Sequence, residues 1–107
     1  MPPLSNIRPV IVGKFGPPVL ACIRSWGRLG LQPGLIQITE ESGIQPASRY
    51  LASCMALSLE ELNTEAGLQR VSSFLRDVGA TGVTCISENI AFRLHEAREL
   101  LPAGVGL

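Results

Sequence analysis

The stretch Pro9-Val10-Ile11-Val12-Gly13-Lys14-Phe15-Gly16-Pro17-Pro18 decides the fold. Val10, Ile11 and Val12 form a short, continuous, β-branched run, the pattern of a strand buried on both faces. Pro17 and Pro18 open a helix, because the missing proline N–H would be unpaired in a first turn anyway. Val19, Cys22, Ile23, Trp26 and Leu29 then recur at spacings of three and four on one helical face. Gly30 is a natural stop. A buried strand, a glycine-bearing turn and an amphipathic helix, in that order, open an α/β domain.

The pattern repeats outward from there. Leu35-Ile36-Gln37-Ile38-Thr39 reads as a second strand after the Pro33-Gly34 turn, with an acidic end at Glu40-Glu41. Residues 42–48 read as loop. Ser53-Cys54-Met55-Ala56-Leu57 is a weaker third strand, suited to a sheet edge. Ser58 and Glu61 have capping-box spacing. The stronger helical stripe is Leu68, Val71, Phe74, Leu75 and Val78, so Thr64 is an alternative N-cap; Gly79 ends this helix. Val83-Thr84-Cys85-Ile86 reads as a fourth strand. Ser87 then caps a last helix with Ile90, Ala91, Leu94, Ala97 and Leu101 along one face, stopped by Pro102 and Gly104.

Alternating strands and helices imply a mostly parallel sheet with helices on both faces. Near-obligatory right-handed crossovers give the strand order 3-2-1-4. Val105-Gly106-Leu107 stands where a fifth strand would begin, which extends the expected order to 3-2-1-4-5. The chain is therefore expected to be one domain over residues 1–107, with residues 1–8 as a tail, and to be a fragment of a longer enzyme. An unpaired fourth-strand edge would then invite dimers or aggregates.

Composition narrows the function. The 107 residues are 46% hydrophobic, enough for a core, and nine basic residues balance nine acidic ones. Zero net charge without a basic cluster argues against nucleic acid or an anionic membrane as partner. No apolar run reaches the length of a membrane span, which needs roughly 20 residues. The amino-terminal residues lack a signal-peptide pattern. A soluble cytoplasmic protein is expected. Cys22, Cys54 and Cys85 are odd in number and widely spaced, so free thiols are the ordinary reading, and no metal site is expected.

Ligands of such sheets bind at the carboxyl ends of the strands, near the switch point. That directs attention to residues 13–18, 40–50 and 87–89. The spacing of Gly13 and Gly16 fits neither common phosphate-loop pattern, and Pro17 and Pro18 remove two donors. Glu40 stands where a ribose-binding acid would be. His95 falls within the last helix, and Asp77, the one aspartate, falls on the preceding one. No catalytic residue is assigned. Ser87 and Glu88 stand at a helix start, where the dipole favours a carboxylate; they read as a cap or as a ligand-facing pair.

Val10-Ile11-Val12-Gly13, the following loop, and Cys22-Ile23-Arg24-Ser25-Trp26-Gly27-Arg28-Leu29-Gly30 resemble the opening of ATP-grasp carboxylate–amine ligases. Ser48-Arg49-Tyr50 and Ile86-Ser87-Glu88-Asn89 are similar to later turns of that family, so the likeness runs from about Pro9 to Leu101. It implies a three-layer, Rossmann-like pre-ATP-grasp domain on the substrate side of a ligase, inactive alone. Gly13, Lys14, Phe15, Gly16, Arg49, Ser87 and Glu88 would then face a small carboxylate or amine substrate. ATP and magnesium would bind the parent enzyme in downstream ATP-grasp domains of the same polypeptide, with no cofactor in this domain, and a homodimer is a further expectation. The loop around Phe15 is bulkier than the family's, and Glu88 stands where aspartate is commoner. The alternative is a stand-alone Rossmann-like nucleotide-binding or dimerisation module.

Overall fold

A computed structural model describes residues 7–14, 16–40 and 51–101. Four strands form one all-parallel sheet: β1 (Pro9–Gly13), β2 (Gly34–Ile38), β3 (Ser53–Leu57) and β4 (Gly82–Cys85). Their order is β3-β2-β1-β4, as the alternation of elements requires. The register sets Ile11 beside Leu35 and Thr84, and Val12 beside Ile36 and Cys85. The expected fifth strand falls on residues outside the described ones.

The strands sort their side chains by parity. Ile11 and Leu35 face α1 (Pro17–Arg28) and pack with Val19 and Ile23. Val10, Val12, Ile36 and Ile38 face the other way. They join α2 (Leu59–Leu62), α3 (Glu65–Val78) and α4 (Glu88–Glu96) in the larger core. Helices thus cover both faces, as expected. The first crossover runs from β1 to β2 and the later one from β3 to β4, in opposite directions along the sheet. Crossovers of one hand then put α1 and α3 on opposite faces.

Local chemistry fixes the ends. Pro17 and Pro18 occupy the first two positions of α1, and Gly30, at φ 85°, turns the chain out of it. Leu29 lies past the last helical residue and is 61% exposed, so it is not on the buried face where its spacing placed it. The alternative starts at Ser58 and Thr64 are both used. Ser58 Oγ accepts from Glu61 N at 3.0 Å, while Ser58 N donates back to Glu61 Oε1 at 3.3 Å, opening α2. Thr64 Oγ1 accepts from Gly67 N at 3.0 Å and opens α3. One expected helix is therefore two.

The last helix also stops early. α4 ends at Glu96 and a 3₁₀ turn follows at Arg98–Leu100. Ile90, Leu94 and Ala97 are buried as expected. Arg93 Nε donates to Leu62 O at 3.2 Å, tying α4 to the end of α2.

Candidate functional site

The carboxyl ends of β1, β2 and β4 meet at the switch point, and a cleft of about 360 Å³ lies there. Gly13 and Lys14 leave the end of β1, and Ile38 ends β2. Leu59 starts α2. Ile86, Ser87, Asn89 and Ile90 come from the end of β4 and the first turn of α4. The lining combines the apolar Ile38, Leu59, Ile86 and Ile90 with the polar residues Lys14, Ser87 and Asn89.

Two features of the cleft favour negative charge. One is Lys14, an exposed cationic residue that lines the cleft. The other is the start of α4, where Ser87 holds the N-cap position, yet its hydroxyl makes no capping hydrogen bond. The cap expected from the sequence is therefore positional only. A helix start presents unpaired backbone N–H groups and the positive end of the helix dipole. Cation and helix start together favour an anionic group at one end of an otherwise apolar ligand.

Gly13 is small for a reason inside the fold. A β-carbon on it would lie 3.1 Å from Ile86 Cβ and 3.8 Å from Val19 Cγ2. Ile86 thus occupies the space that a ligand-cradling glycine would leave open. Gly16 differs: nothing lies within 4 Å of its β-carbon position. It caps α1 in extended backbone and does not line the cleft.

Of the seven residues expected to face substrate, Gly13, Lys14 and Ser87 line this cleft. Gly16 and Glu88 do not; Glu88 is exposed on the first turn of α4. Phe15 and Arg49 lie outside the described residues. Glu40 is exposed just past β2. His95 lies exposed on α4, and Asp77 lies exposed on α3 beside the amino ends of β1, β2 and β3, not at the carboxyl-end cleft. Sequence reasoning pointed to the loop that holds Asn89 but missed Ile38, Leu59, Ile86 and Ile90. The available signal was positional, since each lies within a few residues of the carboxyl end of a strand.

Compared with known proteins, the chain matches no family model, no curated protein and no solved structure.

Two further features complete this end of the sheet. Gln37, on the α1 face of β2, is only 6% exposed, and its Oε1 has no hydrogen-bond partner among the described residues. A bound donor or a water there would recover the cost of that unmade bond, about 1–3 kcal/mol. Among the described residues no group of three or more His, Cys, Asp or Glu side chains converges to hold a metal ion. Burial pushes the Cys54 and Cys85 thiols above the ordinary value of 9.0, which leaves both as poor nucleophiles at neutral pH.

Proposed function

We propose that this chain is a substrate-binding domain that holds a small, apolar-bodied carboxylate in the switch-point cleft. The observation that carries this reading is that Lys14 and the start of α4, where Ser87 makes no side-chain cap, line one cleft together with Ile38, Leu59, Ile86 and Ile90. Lys14 would balance the charge of the carboxylate, the first turn of α4 would donate to it, and the apolar walls would take its body.

The enzyme context we propose is an ATP-dependent carboxylate–amine ligase, with this domain on the substrate side and the downstream domains supplying the chemistry. That context rests on the motif resemblance. The turn before α1 does not fit a triphosphate, because Pro17 and Pro18 supply no N–H there. Among the described residues no helix is long and apolar enough to cross a membrane, and all three cysteines are free. Free thiols suit a reducing compartment, and we place the protein in the cytoplasm.

Thermal melting with a panel of small carboxylates and their neutral amides tests the binding reading. A ligand that binds the folded state raises the melting temperature. Branched or aromatic acids should raise it and the amides should not. Lys14→Gln should weaken binding about tenfold, as expected for a lost charged hydrogen bond of about 1.5 kcal/mol. A panel without effect at millimolar concentration, or equal effects of acids and amides, overturns the reading.

A further inference from the structure

We infer that the buried amide of Gln37 reads a hydroxyl group of a ligand bound at the carboxyl ends of the strands. The role rests on the carboxylate reading for the ligand's charged end, and it makes the ligand a hydroxy acid.

Gln37 stands out within its own strand. Its neighbours along β2, Leu35, Ile36 and Ile38, are buried and apolar, whereas Gln37 is polar and only 6% exposed. Its Oε1 has no hydrogen-bond partner among the described residues. Buried side-chain amides are nearly always paired, and an unpaired one destabilises the fold. An apolar side chain of similar length would serve a purely structural role better. A polar group kept at that cost points to a partner from outside the fold.

The surroundings select the kind of partner. Register sets Gly13 and Ala56 on either side of Gln37, in one row across β1, β2 and β3 on the α1 face. Neither neighbour carries a polar side chain. The start of α1 lies over this row: Val19 packs with Ile11 and Leu35, and its Cγ2 is 3.8 Å from the β-carbon position of Gly13. A first helical turn ordinarily offers free N–H groups. Pro17 and Pro18 hold the first two positions of α1 and have none. The helix start over Gln37 therefore lacks the donors that would otherwise satisfy its oxygen.

The chemistry of the ligand group follows. A carboxylate has no proton to give, so it would meet Oε1 as acceptor against acceptor. An ammonium group donates, but it would lie against the positive end of the α1 dipole. A hydroxyl is neutral and donates to Oε1, and it can accept from Nε2 if the amide turns over. The carboxylate end stays with Lys14, which directly follows Gly13, the register partner of Gln37.

Calorimetric binding of a square of four compounds tests this: a small branched acid, its hydroxylated counterpart with the hydroxyl moved along the chain, and the neutral amides of both. In the wild-type protein the best hydroxy acid should bind about tenfold tighter than its parent acid, the effect of one well-made hydrogen bond. Gln37→Met, which keeps the length and removes the amide, should bind the two alike. Without ligand, Q37M should melt roughly 5 °C above the wild type, because no unpaired buried group remains. The inference is overturned by a wild-type protein that prefers no hydroxylated compound, or by Q37M that keeps the preference. It is equally overturned by Q37M that melts below the wild type, since the amide is then satisfied in the free protein, as by a resident water. Acids that bind no better than their amides, with the hydroxyl preference intact and lost in Q37M, would sink the carboxylate reading and leave the role of Gln37 standing.

Discussion

Gly13 and Ile86 share one volume at the switch point: a β-carbon on Gly13 would lie 3.1 Å from Ile86 Cβ and 3.3 Å from its Cγ1. The glycine that looks like part of a ligand loop is thus held to its size by the residue after β4. Gly13→Ala gains a little from a stiffer unfolded chain. It loses more by pushing Ile86, whose backbone is tied to Val12, away from the sheet. A net destabilisation of about 1 kcal/mol is expected. Ile86→Gly in the same chain removes the clash, so the double variant should cost less than the two single changes added together. Urea unfolding of the four proteins measures this coupling, and strict additivity would refute it.

Among the described glycines, Gly67 has the tightest surroundings, which predicts a larger effect. A β-carbon on Gly67 would lie 1.8 Å from Glu61 O, where α3 crosses the end of α2. Thr64 Oγ1 donates to the same carbonyl at 2.7 Å, so the carbonyl cannot swing aside freely. Gly67→Ala should destabilise the protein by about 3 kcal/mol. The melting temperature should fall by roughly 10–20 °C. Gly16→Ala is the control: its backbone is extended and its β-carbon site is open, so melting should hardly change.

The thiols make stability fall at alkaline pH. Cys54 and Cys85 ionise less readily in the fold than in the unfolded chain, because burial disfavours the thiolate. Below the ordinary value of 9.0 both states hold the proton and these groups add no pH dependence. As pH rises past it, the unfolded chain releases protons that the folded one keeps, and stability declines. Urea midpoints from pH 7 to 10 should show this decline. Cys85→Ala and Cys54→Ala should each flatten it, and an unchanged slope in both would count against burial as the cause.

The strands were legible because their residues leave little choice. Val10, Ile11 and Val12, and the run from Leu35 to Ile38, are apolar at successive positions, as burial on two faces demands, and the parallel order followed from their alternation with helices. Ser53 to Leu57 was legible as an edge strand because its pattern is weaker; four of its five residues are only partly buried. The cleft was half legible. Lys14 and Ser87 stand at strand ends, where ligands of parallel sheets bind. Ile38, Leu59 and Ile90 read instead as ordinary core or helix residues, since hydrophobicity does not tell a core wall from a pocket wall. The Gly67 crossing left no trace in sequence spacing, because it depends on the angle between two helices. Whether Ser58 or Thr64 started the helix could not be decided for a physical reason: both caps form.

Arg70 links the fold's stability to its association. Its ion pair with Glu61 joins side chains that are 50% and 49% exposed. Such a pair contributes at most about 1 kcal/mol. Arg70→Ala should therefore change urea unfolding only slightly. Its larger effect should be on the β3 edge, where Ala56 O loses the guanidinium that covers it. An uncovered edge carbonyl leaves that strand open to pairing with another. Sedimentation velocity should then show R70A species larger than the wild-type protein, growing with concentration. Arg70→Lys keeps the charge but lacks the planar fork that spans Glu61 and Ala56 together, so it should fall between the two. R70A that sediments as the wild type does would mean that the guanidinium does not guard this edge.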